Sequence, residues 1–235
     1  MIKLNERTIK GNKIKLFNRM QIWYHKHIIH FMIFFILTGL PIISHKFSFI
    51  AYGIGVPISS MFSGADPLYV GIEACRIIHR FTAILWILTT IPFVISMIFT
   101  KWDLLLNKKK DESIVTCLKE ETQDLMDAYV FFKYPKRCGK YNIGQLAAGI
   151  LAITLSIAIL VSGIFLWMRS SFNPELISYM KIIHDLAFYG FLVFLTIHVY
   201  LALFPTNRSG YNAMFTDGYD DIDHAKQKHP GMFKE

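Results

Sequence analysis

Four apolar runs divide the chain, at about 22–44, 72–99, 145–168 and 181–204. Each is long enough as a helix to cross a hydrocarbon core of roughly 30 Å. None carries the polar stripe every three or four residues that marks a surface helix of a soluble bundle. The pattern predicts an all-α membrane protein, a four-transmembrane-helix bundle with both termini cytoplasmic. Residues 1–21 form a basic arm, 22–204 the membrane domain and 205–235 a polar tail. The arm has no short apolar core followed by a small-residue cleavage site, so the first run reads as a retained span. Residues 45–71, rich in Gly, Pro, Ser and aromatics, are too apolar for a plain solvated loop and predict an interfacial turn or short surface helix. Pro92 predicts a kink in the second span.

The connection 101–144 is the longest polar segment. Within it LKEETQDLMDAYVFF reads as an amphipathic helix, with Leu118, Leu125, Met126 and Tyr129 near one face, lying on the membrane surface or against a partner. No internal repeat or low-complexity tract stands out.

Composition agrees: 53% of residues are hydrophobic, 18% are charged, and the mean hydropathy is +0.38. The net charge of +8 does not point to nucleic acid, because of where it sits. Lys3, Arg7, Lys10, Lys13, Lys15 and Arg19 open the chain, nine Lys/Arg lie in 101–140 and four follow Pro205. The other two connections carry only Lys46, and Arg169 with Lys181. This is the positive-inside bias expected of a multi-pass protein of the cell inner membrane. Cys75, Cys117 and Cys138 form no CxxC or CxxCH, which argues against c-type haem, zinc or an iron–sulfur cluster on this chain.

Histidine is expensive in lipid and implies a site. His184 and His198 lie fourteen residues apart in the fourth run. In a helix that leaves them about 40° apart in azimuth and ~21 Å apart along the axis. The alternating topology puts His79 at the depth of His184, near the outer surface, and His25 at the depth of His198, near the inner one. Two pairs, His79/His184 and His25/His198, suit two haems with bis-imidazole ligation, whereas zinc would want three or four ligands at each depth. His27 and His30 are rotated about 160° and 140° from His25, so only one of the three can face a given porphyrin. His25 is preferred because Gly39, fourteen residues on, falls on nearly the same face at the depth of the outer haem, where a missing side chain would admit the ring edge. Ligation at both axial positions favours electron transfer over oxygen binding.

GKYNIGQ (139–145) sets Asn142 and Gln145 three residues apart at the inner start of the third run. Their amides suit a quinone carbonyl, and equally a capping box at a helix start. In this order RIIHRFTAILW, GKYNIGQ, VSGIFLW and IIHDLAFYGFLVFLTIHVYLA resemble the gamma subunit of respiratory membrane-bound formate dehydrogenase, over nearly the whole chain. The related cytochrome b subunits of nickel–iron hydrogenases share the four-helix, two-haem plan, but GKYNIGQ is more similar to the formate dehydrogenase branch. The usual first-helix motif there is a single His followed by Trp, whereas this chain reads IWYHKHIIH.

The resemblance implies two haem b groups, held by His79 and His184 outside and by His25 and His198 inside. It implies a menaquinone site lined by Asn142 and Gln145. Its expected partners are an outer-side iron–sulfur subunit and a molybdopterin (molybdenum or tungsten) catalytic subunit, in a complex that can form higher oligomers. Electrons would run from the iron–sulfur partner through both haems to menaquinone near the cytoplasmic face. The chain itself, lacking pterin and cluster motifs, would not oxidise formate. Two other readings compete: the same module serving a nickel–iron hydrogenase or other oxidoreductase, and a haem-free membrane anchor.

Overall fold

A computed structural model describes residues 9–61, 65–99 and 112–233. Lys3, Arg7, Lys101 and Lys108 to Lys110, which carry part of the charge bias, lie outside the described residues. The chain forms two compact units, residues 18–101 and residues 1–17 with 102–235.

The first unit contains α1 (Arg19–Ile43), α2 (Ser48–Ser59) and α3 (Pro67–Phe99). Asn18 starts α1 with a reciprocal capping box: its side chain accepts from the Gln21 amide, and its own amide donates to Gln21 Oε1, both at 2.8 Å. The short helix expected within 45–71 is α2, packed closely against α3. A Cβ on Gly55 would lie 1.8 Å from the Pro67 carbonyl oxygen, and one on Gly71 1.8 Å from that of Ala51. Only glycine at both positions lets the two backbones meet. Pro92 lies within α3 without ending it.

The second unit contains α4 (Ile114–Tyr129), α5 (Ile143–Trp167) and α6 (Pro174–Leu203), with α7 (Arg208–Phe215) and α8 (Ile222–Lys228) in the tail. Asn142 and Gln145 make at α5 the same capping box that opens α1. Asn173 caps α6, with Pro174 in the first turn, where a missing N–H costs nothing.

The helices α1, α3, α5 and α6 are each long and apolar enough to cross a membrane. They overlap the four runs expected from the sequence. Their outward side chains are large and apolar: Ile77 and Leu88 on α3 and Leu186 and Val193 on α6 are all at least 60% exposed. Such continuous apolar surface is suited to lipid, not water. The chain is a multi-pass membrane protein.

Beside the helices lies a small three-stranded antiparallel sheet that the sequence did not suggest. β1 (Ile9–Lys10) and β2 (Lys13–Lys15) of the arm pair with each other, and β2 pairs with β3 (Tyr219–Asp221) of the tail. Its core is Ile14 and Leu16 against Ala213 and Ala225. The sheet therefore ties the start of the chain to its tail.

Within the chain α4 buries a face other than the apolar one expected to lie on the membrane surface or against a partner. Leu125 packs on Gly144, and the Tyr129 hydroxyl accepts from Asn207 Nδ2 at 2.8 Å, but Leu118 and Met126 are exposed. The buried residues are Cys117, Glu121 and Asp124. Asp124 accepts the Lys136 and Arg137 backbone amides at 2.8–3.1 Å. The buried Arg137 guanidinium donates to both Glu112 oxygens, at 2.7 and 2.8 Å, and also to Glu120. A fork-shaped cation matched by carboxylates is what makes burial of this polar loop tolerable. Burial pushes the Cys138 thiol up to about 12, with Glu121 and Asp124 adding to the effect, so it is an inert thiol near neutral pH.

The tail closes over the same loop. His229 Nδ1 donates to the Gly139 carbonyl at 2.7 Å, and the Gly231 amide to Cys138 at 2.9 Å. Burial lowers the His229 imidazole from the usual 6.5 to about 4, with adjacent Lys228 contributing and the Gly139 bond opposing. The folded site thus holds the neutral ring, and below pH 6.5 the unfolded chain binds a proton that the folded one does not. The stability contributed here is complete above about pH 6.5 and is lost as the pH falls toward 4, up to about 3 kcal/mol. Protection factors in 225–233, taken relative to intrinsic amide exchange at each pH, should fall between pH 7 and pH 5, and His229→Gln should remove that fall.

Candidate haem-ligand histidines

The histidines singled out by the sequence lie on α1, α3 and α6. In the first unit, α1 crosses α3 at Thr38 and Gly39. Thr38 Oγ1 donates to the Phe34 carbonyl four residues back at 2.6 Å and lies 2.9 Å from His79 Nδ1. The hydroxyl proton is committed to the carbonyl, so the oxygen accepts the Nδ1–H of His79. That tautomer leaves the lone pair on Nε2. A Cβ on Gly39 would be 3.5 Å from His79 Cε1, so the bare glycine lets the ring lie against α1. Phe35 meets the same ring edge-on at 5.1 Å. Gly39, expected to admit a porphyrin edge, is thus beside the imidazole of His79.

The second unit repeats this arrangement. Where α5 meets α6, Ser162 Oγ donates to the Ala158 carbonyl at 2.6 Å and lies 2.9 Å from His184 Nδ1. The same logic gives His184 an Nδ1–H and puts the lone pair on Nε2. A Cβ on Gly163 would be 3.4 Å from His184 Cε1. Ser162 is fully buried and Thr38 2% exposed, so neither hydroxyl has water as an alternative.

Sequence reasoning passed over Thr38, Ser162 and Gly163, although a signal was present. Asn18, Gln21, Thr38 and Gly39 on α1 recur at identical spacing as Asn142, Gln145, Ser162 and Gly163 on α5. The partner helices carry Arg76-Ile77-Ile78-His79 and Lys181-Ile182-Ile183-His184. A search at fixed period misses the repeat because α2 lengthens only the first half.

His198 lies further along α6, its ring stacked on Phe194 at 5.5 Å with 16° between planes. Fourteen residues place it ~21 Å from His184 along the axis. In the first unit His25 lies thirteen residues before Thr38 on α1, ~20 Å from the level of His79. Each unit therefore offers one pair of candidate ligand histidines, His25/His79 and His184/His198, with nearly the same axial separation. His25 has its Nδ1 buried in the fold. His27 and His30 differ: each places Nδ1 on its own helix, at 2.7 Å from the Trp23 carbonyl and 2.9 Å from that of Lys26. They cluster with Trp23, and His30 is exposed.

Asn142 and Gln145 spend their side-chain oxygens on the α5 cap. Their amide Nδ2 and Nε2 are the atoms suited to a quinone carbonyl. Among the described residues no three His, Cys, Asp or Glu gather as a metal-ion site. A planar macrocycle taking one imidazole on each face needs no such cluster, and an Nε2 lone pair on a ring anchored through Nδ1 fits haem iron.

Residues 16–217 match the family described as prokaryotic cytochrome b561. The cytochrome b556(fdo) subunit of formate dehydrogenase from Escherichia coli strain K12 is 28% identical over 100 residues, covering 41% of this chain. The same figures hold for that subunit from strains O6:H1 and O157:H7. The match spans 46% of the length of these relatives.

Proposed function

The chain belongs to the prokaryotic cytochrome b561 family, and on that premise, which makes it a membrane cytochrome b of electron transport, we propose a dihaem subunit that delivers electrons to menaquinone. The observation that carries this reading is the twinned arrangement at His79 and His184. A histidine needed only for packing has no reason to be held by a buried hydroxyl through Nδ1, on two separate helices, beside a glycine each time.

His79 and His184 are proposed as the axial pair of the outer haem, and His25 and His198 as that of the inner. The near-equal axial separations in the two units support this two-by-two assignment. Gly39 and Gly163 give their histidines room. When bound, the two haems supply one-electron carriers between an outer-side iron–sulfur partner and menaquinone near the cytoplasmic face of the inner membrane. Asn142 and Gln145 are proposed to orient the quinone by donating from their amides. Both termini are proposed to be cytoplasmic; the basic segments support this, and the sheet joining arm and tail suits an even number of spans.

The partners proposed are an iron–sulfur subunit and a molybdopterin catalytic subunit, as in a formate dehydrogenase. Purifying the complex tests this: a molybdopterin subunit should accompany the chain. A nickel–iron subunit in its place would assign the module to a hydrogenase. Asn142→Asp keeps an acceptor for the helix cap and removes the amide donor. It should slow reduction of a quinone analogue by tenfold or more while both haems remain. An unchanged rate would make Asn142 a cap only.

A further inference from the structure

Thr38 and Ser162 stand in equivalent places of a duplicated design. Each is buried, each gives its proton to the carbonyl four residues back, and each lies 2.9 Å from a histidine Nδ1 on the partner helix. We propose that Thr38 and Ser162 are twin positioning residues that set the tautomer and donor strength of the two imidazoles of one and the same haem. The proposal rests on the reading of His79 and His184 as the axial pair.

An acceptor on Nδ1–H makes the opposite nitrogen a stronger donor, and outer groups of this kind are worth 10–100-fold in metal affinity. Stronger donation favours ferric over ferrous iron, so the hydroxyls hold that haem at a lower potential than bare imidazoles would. The duplication does not extend to the other pair. Gly149 on α5 takes the place that His25 has on α1, and Phe93 on α3 the place that His198 has on α6. The inner pair therefore stands outside the twinned arrangement, which belongs to His79 and His184.

The test is redox titration of the complex carrying Thr38→Val, Ser162→Ala or both, read by optical and electron paramagnetic resonance spectra. Each single variant should keep two haems and raise the potential of one of them, by up to about tenfold in the ferric-to-ferrous ratio, or 59 mV for one electron. The double variant should move that same haem further and leave the other alone. Thr38→Ser and Ser162→Thr, which retain a hydroxyl, should titrate as wild type. If Thr38→Val and Thr38→Ser both lose haem, the hydroxyl is not the operative group and the proposal falls. It falls too if the potentials stay put in both single variants. If the two variants shift different haems, the pairing of His79 with His184 fails while the role of the hydroxyls stands. A wild-type complex with no haem would remove the underlying reading itself.

Discussion

His184→Ala is expected to remove one haem and His198→Ala the other, each with about half of the b-type absorbance. The two residues share α6 but lie ~21 Å apart, too far to serve one iron. Alanine offers no ligand to the iron. The remaining haem should keep its own spectrum, because its ligands belong to the other level of the membrane. Pyridine haemochrome assays per chain and low-temperature α-band spectra measure both effects. If either variant retained both haems, the assignment of that histidine would be wrong.

Gly71→Ala is expected to have the largest effect on the fold. A methyl group there would lie 1.8 Å from the Ala51 carbonyl oxygen and 3.2 Å from the Gly55 amide nitrogen. The obstacle is backbone on both sides, so no rotamer change relieves it. α2 must move off α3, and overpacking of this kind costs typically 1–3 kcal/mol, here at the upper end or beyond. Protease sensitivity in 48–61 should rise, with a lower Tm for the first unit. Gly53→Ala on the same helix is the control, since nothing lies within 4 Å of its added methyl.

The four spans and the histidines on them were legible because lipid imposes strong rules: length, absence of charge, and the cost of an imidazole. The spacing of His184 and His198 followed from helix geometry alone. The hydroxyls were not legible, since Ser and Thr in apolar helices commonly bond their own i−4 carbonyl, and nothing local announces a second partner on another helix. Asn142 and Gln145 left a quinone site and a cap equally open. The structure shows the cap, matched by the Asn18–Gln21 box on α1, and the cap uses their side-chain oxygens and not the amide donors proposed for the quinone. Strands of two or three residues, such as β1 and β3, fall below any periodic signal. On α4 the apolar positions Leu118 and Met126 stay exposed, while Asp124 on another face serves the Arg137 loop, a polar contact that hydropathy periodicity does not signal.

The central claim is that four histidines on three helices hold two haems. Haem per polypeptide, measured by pyridine haemochrome on the purified complex against quantitative amino-acid analysis, tests it most directly. The account predicts two b-type haems per chain; a colourless preparation, or one haem per chain, would contradict it.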